Sequence, residues 1–288
     1  MSNIFTPFRY PGGKSKIAPM VRKTIKANNI KNVIFCEPFA GGAGVSIDLL
    51  MNGFVNEIIL NDYDIAICSV WYSILYDTER LLSAIENVTI DINEWKKQKD
   101  IYTSLKDSNK YSFDLSFATF FLNRTNVSGV ITGGPIGGVD QMGKYKLDCR
   151  FNKKSLMNKI SAIASKRDRI MLYHMDASEL ISSVLTKMDP SRLFVMFDPP
   201  YYKQGESLYK NAFQKEDHVR LSHSIRMMNS FFWILTYDDE PVIREIYSDF
   251  PQETFELQYS VRNKRVETEL LIHGPNTVFE KEEFLSLF

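Results

Sequence analysis

Val33-Ile34-Phe35-Cys36-Glu37-Pro38-Phe39-Ala40-Gly41-Gly42-Ala43-Gly44 is a short apolar run that stops at an acid and a proline, then opens into a glycine loop. The helical spacing of Val45, Ile47, Leu49 and Leu50 follows directly, so the stretch reads as strand, loop, helix. Residues 57–60 give a second apolar strand ending at Asn61-Asp62-Tyr63-Asp64, and residues 65–75 continue as an apolar helix. Two successive βα units predict an α/β fold with a doubly wound, mainly parallel sheet.

Further along the chain the pattern breaks and then resumes. Between residues 81 and 152 the alternation is lost, and the chain turns polar, aromatic and glycine-rich, with 131–138 as its loosest part. This predicts an inserted, mostly helical domain carrying a mobile loop. The α/β rhythm returns with a helix at 153–165, a strand at 170–173, a helix at 177–185 and a strand at 193–197 that delivers Asp198. Residues 230–235 and 269–272 are expected as later strands, and there is no internal repeat. The expected division is a catalytic domain of residues 1–80 and 153–288, interrupted by the insertion 81–152.

With 288 residues, 44% of them hydrophobic and 24% charged, the chain can bury a substantial core. No apolar run reaches the roughly 18 residues that a membrane span needs, and the N-terminus has no secretion pattern, so a cytoplasmic protein is expected. Cys36, Cys68 and Cys149 lie far apart, the four histidines are scattered, and no metal is expected. The formal net charge is zero but very unevenly distributed. Residues 1–31 hold seven Lys/Arg and no acid, and residues 144–169 hold nine against Asp148 and Asp168, a local charge of +7. Folded onto one face, the second stretch would neutralise several phosphates; the alternative is a solvated helix surface.

In a parallel sheet, ligands bind beyond the carboxyl ends of the strands. Glycines 41, 42 and 44 let the backbone approach a ligand there, and Asp62, 20 residues beyond Gly42, is placed to accept ribose hydroxyls. An N-cap for the following helix is the competing role of Asp62. These two features alone do not separate a nicotinamide dinucleotide from S-adenosylmethionine. Asp198-Pro199-Pro200-Tyr201 does, because two prolines after a buried strand remove backbone donors and leave carbonyls facing the cleft. An aromatic amino group is a poor nucleophile. Acceptors for its two N–H bonds, here Asp198 and the Pro199 carbonyl, favour the pyramidal nitrogen of the transition state. Tyr201 is expected to stack on the base, which must leave the duplex to be reached.

Phe8-Arg9-Tyr10-Pro11-Gly12-Gly13-Lys14, the Phe35 to Gly44 stretch, Asn61-Asp62 and Asp198-Pro199-Pro200-Tyr201-Tyr202 stand in that order along the chain. In these four motifs the sequence resembles the Dam-like, D12-class, adenine-specific DNA methyltransferases. The resemblance implies a Rossmann-like methyltransferase fold in which Tyr10 and Lys14 help hold S-adenosylmethionine, with Asp62 at its ribose and Asp198 beside the methyl-transfer site; Glu37, Phe39, Gly41 and Asp176 complete the expected cofactor-binding set. It further implies that the segment between Asp62 and Asp198 recognises duplex DNA, and that a cognate restriction endonuclease is a candidate partner. Phe120-Phe121-Leu122-Asn123-Arg124-Thr125-Asn126-Val127-Ser128-Gly129 resembles the family's recognition segment. There Arg124 is expected to read a guanine edge, with Leu122 and Asn126 beside it in the DNA-binding set. The glycine-rich stretch 129–138 departs from the more basic hairpin of well-known members, so the target sequence is not carried over. For Asp176, an adenine contact in the cofactor and an N-cap are equal alternatives.

The leading reading is N6-adenine methylation of DNA. Its alternatives are the same chemistry on cytosine N4 or RNA, and a catalytically silent, cofactor-sensing DNA-binding module. Asp rather than Ser before Pro-Pro favours adenine. A glutamine-directed protein methyltransferase would carry Asn there and ranks lowest.

Overall fold

The computed structural model describes residues 5–9, 14–203, 213–259 and 265–279. Its strands are β1 (Ile34–Glu37), β2 (Glu57–Asn61), β3 (Ile170–Tyr173), β4 (Leu193–Phe197), β5 (Phe232–Asp238), β6 (Gln252–Tyr259) and β7 (Arg265–His273). They form one sheet in the order β3-β2-β1-β4-β5-β7-β6. The first five strands pair in parallel, and β7 runs antiparallel to both β5 and β6. The doubly wound, mainly parallel sheet is therefore present. β5 and β7 extend beyond their expected lengths, and β6 was not anticipated.

Alternation along the strands divides the core in two. Phe35, Ile58, Leu60, Phe194 and Met196 face one layer, built from α1 (Ala18–Ala27), α2 (Gly44–Met51), α3 (Ile65–Tyr76) and α7 (Lys153–Ala164). Ile34, Cys36, Ile59, Val195 and Phe197 face the other. That second layer contains α8 (Ala177–Ser183), α9 (Lys215–Arg226) and α10 (Pro241–Ile246). The stretch between β2 and β3 also contributes α4 (Thr78–Asn87), α5 (Ile92–Leu105) and α6 (Phe113–Thr125). Their Leu81, Ile85, Trp95, Phe120 and Phe121 bury in the same core as α3. At roughly 1.5–3 kcal/mol per large apolar side chain, that burial anchors the helices to the sheet layer.

The segment after α6 is not loose, contrary to the expectation for 131–138. Asn126 is wholly buried; its Oδ1 accepts from Trp95 Nε1 at 2.7 Å, and its Nδ2 donates to the carbonyls of Val130, Ile131 and Gly133 at 2.9, 2.8 and 3.2 Å. Further on, Gln141 Nε2 donates to the Ile136 and Gly138 carbonyls, while its Oε1 accepts from Leu147 N at 2.9 Å. Two side-chain amides thus supply the partners that a β-ladder would otherwise give to this backbone. Gly129 adds a steric lock: at φ +79°, a Cβ would fall 2.1 Å from the Arg9 carbonyl oxygen.

Replacing Asn126→Leu keeps the volume but orphans one indole N–H and the Ile131 and Gly133 carbonyls, while the Val130 carbonyl keeps Gly133 N at 2.9 Å. At about 1–3 kcal/mol per unmet group, a loss of at least roughly 3 kcal/mol is expected. Thermal unfolding should show a midpoint lowered by roughly 6 °C or more. A melting curve that coincides with the wild type would reject Asn126 as the anchor of this segment.

Candidate active site

Because β1 pairs with β2 on one side and β4 on the other, the loops leaving these three strands open at one edge of the sheet. After β1, Gly41 (φ 47°) and Ala43 (φ 45°) both adopt left-handed backbone. For Ala43 this conformation is strained, and it is held by Ala43 N donating to Ala40 O at 2.6 Å and Ile47 N to Ala43 O at 3.0 Å. The loop's carbonyls point back into the protein: Gly41 O accepts from Trp71 Nε1 at 2.8 Å and Gly42 O from Thr6 Oγ1 at 2.5 Å. Glu37 is 6% exposed and its Oε2 accepts from Ser46 N at 2.9 Å, satisfying an orphan N–H in the first turn of α2. Burial pushes its carboxyl up to about 7.

Asp62, just past β2, accepts from Gly41 N at 2.8 Å through Oδ2 and from Asp64 N at 2.9 Å through Oδ1. It closes the glycine loop, while Asp64 caps α3 by accepting from Ala66 N. Each Asp62 oxygen retains a lone pair for a hydroxyl donor. Burial raises its carboxyl to about 7, with the neighbouring Asp64 adding to the effect.

At the end of β4, Asp198 Oδ1 accepts from Thr236 Oγ1 of β5 at 2.7 Å and lies 3.9 Å from Lys14 Nζ. Among the described residues no donor is bonded to Asp198 Oδ2 or to the Pro199 carbonyl. Burial lifts the Asp198 carboxyl to about 6 against the lowering influence of Lys14 and Thr236. Lys14 Nζ donates to Glu269 Oε1 and Oε2 at 2.9 and 2.6 Å and also bonds the Tyr201 hydroxyl. Tyr201 in turn donates to Glu269 Oε2 at 2.7 Å. Asp238, at the end of β5, accepts from Tyr202 N and Lys203 N at 3.0 and 2.9 Å and so fixes the chain leaving Tyr201.

Thr236, Asp238 and Glu269 escaped the sequence reading. The available signal was an acid in an otherwise apolar strand, Glu269 before Leu270-Leu271-Ile272. Phe39 is half-buried, with its ring 5.9 Å from that of Phe213. Asp176 caps α8 by accepting from Ser178 N at 2.8 Å, and its other oxygen meets Arg220 at 3.2 Å. Tyr10 lies outside the described residues.

The expected DNA-reading set is placed differently. Leu122 and Asn126 are wholly buried and present no side chain to a DNA groove. Arg124 donates through Nη1 to Pro7 O at 3.2 Å and through Nε to Arg150 O at 2.9 Å, with Nη2 also on Arg150 O. Three of its five N–H donors are thus engaged on backbone carbonyls and two remain. Arg9, Arg150 and Lys159 cluster around it; burial first, then Arg9 and Arg150, bring the Arg124 guanidinium down to about 10, and burial and Arg124 in turn lower Lys159. Among the described residues no carboxylate is paired with any of these four cations. Elsewhere in the basic stretch, Lys153 Nζ caps α4 on the Glu86 and Val88 carbonyls, and Arg169 binds Val55 O, so the stretch does not act as a single face.

A glycine loop and a strand-end acid beside an Asp-Pro-Pro-Tyr strand end form the arrangement expected of an S-adenosylmethionine-dependent amino-methyltransferase. The model of the D12 class N6 adenine-specific DNA methyltransferases matches residues 10–262, and the chain belongs to that family. Its reaction is methyl transfer to N6 of adenine in DNA, rather than to cytosine N4 or RNA. Type II methyltransferase M.CviBI of Paramecium bursaria Chlorella virus NC1A is 24% identical over 234 residues, 78% of this chain and 80% of the relative. Two solved structures of the rRNA methyltransferase aviRa from Streptomyces viridochromogenes align at 10% and 11% identity, each with a TM-score of 0.39. They cover 92% and 96% of this chain and 86% and 92% of theirs. At that score the likeness carries no argument, and the fold stands on the strand order. No described helix is long and apolar enough to cross a membrane.

Proposed function

We propose that Asp198, Pro199 and Tyr201 form the methyl-transfer site, and that S-adenosylmethionine lies along the edge from Asp62 and Gly41 to Asp198. The observation carrying this reading is the split use of Asp198: Oδ1 is held by Thr236, and Oδ2 meets no donor among the described residues. Oδ2 and the Pro199 carbonyl accept the two N–H bonds of the target amino group, and the Tyr201 ring stacks on the extruded adenine. The cofactor supplies an electrophilic methyl group. Asp62 accepts its ribose hydroxyls, Phe39 packs beside it, and Glu37 and Asp176 hold the loops that frame it. Lys14 borders the transfer site.

Residues 81–152 are the target-recognition region in this reading. Arg9, Arg124, Arg150 and Lys159, four cations without a carboxylate partner among the described residues, suit a backbone phosphate of duplex DNA. Leu122 and Asn126 act from the interior by holding the helix and the loop behind that surface. The type II name of the curated relative supports a restriction endonuclease of matching specificity as a partner.

Asp198→Ala should lower single-turnover methyl transfer by about 1000-fold with the fold retained. Near-normal turnover would refute the assignment. Acceptance of N–H bonds needs the ionised carboxylate, so the wild-type rate should be full above pH 6 and fall as pH drops through about 6. In Asp198→Asn that limb should vanish, as read from the pH profile of single-turnover rates.

The Arg124 geometry changes the outcome expected for Arg124→Ala from relaxed reading of one base to uniform weakening on all sequences. The slope of log K against log salt should fall by about one. Selective relaxation at one base position would instead restore Arg124 as a base reader.

A further inference from the structure

Glu269 belongs to β7, two strands away from the β4 end that carries Asp198, and is 1% exposed. Its two oxygens hold the Lys14 ammonium at 2.9 and 2.6 Å, while the same ammonium stays 3.9 Å from Asp198. One cation is therefore shared unequally between two carboxylates. An ammonium released from Glu269 would move into direct contact with Asp198 and take the lone pairs that the substrate amino group needs. Glu269 also accepts the Tyr201 hydroxyl, and Lys14 Nζ lies 4.7 Å from the centroid of the Tyr201 ring. The acid thus sets both the charge balance at Asp198 and the plane of the ring.

We propose that Glu269 is a positioning residue for methyl transfer: it keeps Lys14 near Asp198 without bonding it and anchors Tyr201 in the plane on which the target base stacks. This rests on the reading of Asp198 as the amino-group acceptor. Among the described residues, the titratable groups facing Asp198 besides Lys14 and Glu269 include Glu37 and Tyr237. Among the described residues neither is bonded to the ammonium, whereas Glu269 holds it through both oxygens.

Glu269→Gln keeps the shape and an acceptor for Tyr201 but removes the charge that holds Lys14. Turnover should fall by about 100-fold, the scale of a 1 Å misplacement at a reacting centre. S-adenosylmethionine affinity by equilibrium dialysis should stay within roughly threefold. The acidic limb of the pH profile should move to lower pH, because a carboxylate in direct contact with an ammonium titrates lower. A merely structural residue would reduce stability without moving that limb. If an unpaired buried lysine prevents folding, Lys14→Met combined with Glu269→Gln removes both charges and avoids it. In that double variant the limb should move to higher pH than in the wild type. An unmoved limb in either folded variant, or turnover of Glu269→Gln within roughly threefold of wild type, overturns the proposal. Asp198→Ala, assayed in parallel, separates the two ideas. Activity there would sink the acceptor reading itself, whereas inactivity beside a fully active Glu269→Gln would sink only the role of Glu269.

Discussion

Parallel pairing of β1 with β2 and with β4 is the constraint on which the site depends. It brings three strand ends to one edge, so residues 37, 62 and 198, far apart in sequence, come to the same side of the sheet. The cost is electrostatic. Three carboxylates enter a poorly solvated space, and each has its proton affinity raised by burial. The fold answers with donors rather than with many cations. Ser46 N meets Glu37, Gly41 N and Asp64 N meet Asp62, and Thr236 meets Asp198. Near Asp198, the buried Lys14 supplies positive charge.

What could be read from the sequence follows from how local each signal is. β1, β2 and β4 are short apolar runs closed by Pro38, Asp62 and Pro199, and their period and punctuation need no tertiary information. Asp62 and Asp198 were legible because they end such runs. Glu269 and Thr236 were not, because each acts across a strand boundary that only sheet order defines. β6 and the full length of β7 belong to an antiparallel edge whose pairing is likewise non-local.

The recognition segment shows the opposite limit. A motif match gives the order of residues but not the direction they face, and facing is set by packing. Residues 120–122 all sit on buried faces of α6, so Leu122 has no outward role. Arg124 points out of the helix but meets two backbone carbonyls before it reaches solvent. Glycine content suggested looseness at 131–138, because glycine lowers the cost of unusual backbone. The same freedom also lets the chain fold tightly around a polar amide, which is what Asn126 and Gln141 bring about. Composition alone does not distinguish a loose glycine segment from one wound on a buried amide.

The cleft also links ligand binding to stability. A carboxyl whose folded value lies above its unfolded one, as at residues 37, 62 and 198, binds more protons in the folded chain. Its stabilising contribution is complete below about pH 4, the unfolded range, and is lost as pH rises through the folded values. For Asp198 that loss centres near 6, and for Glu37 and Asp62 near 7. The ligand-free protein therefore gives up stability in the range where Asp198 ionises, the form its proposed role requires. In the proposed placement a sulfonium donor brings positive charge to the same strand ends and favours the ionised forms, so occupancy would recover part of what burial removed. The acids that make the site functional are thus least well accommodated when it is empty, which is the trade expected where a fold maintains a charged cleft for a cationic ligand.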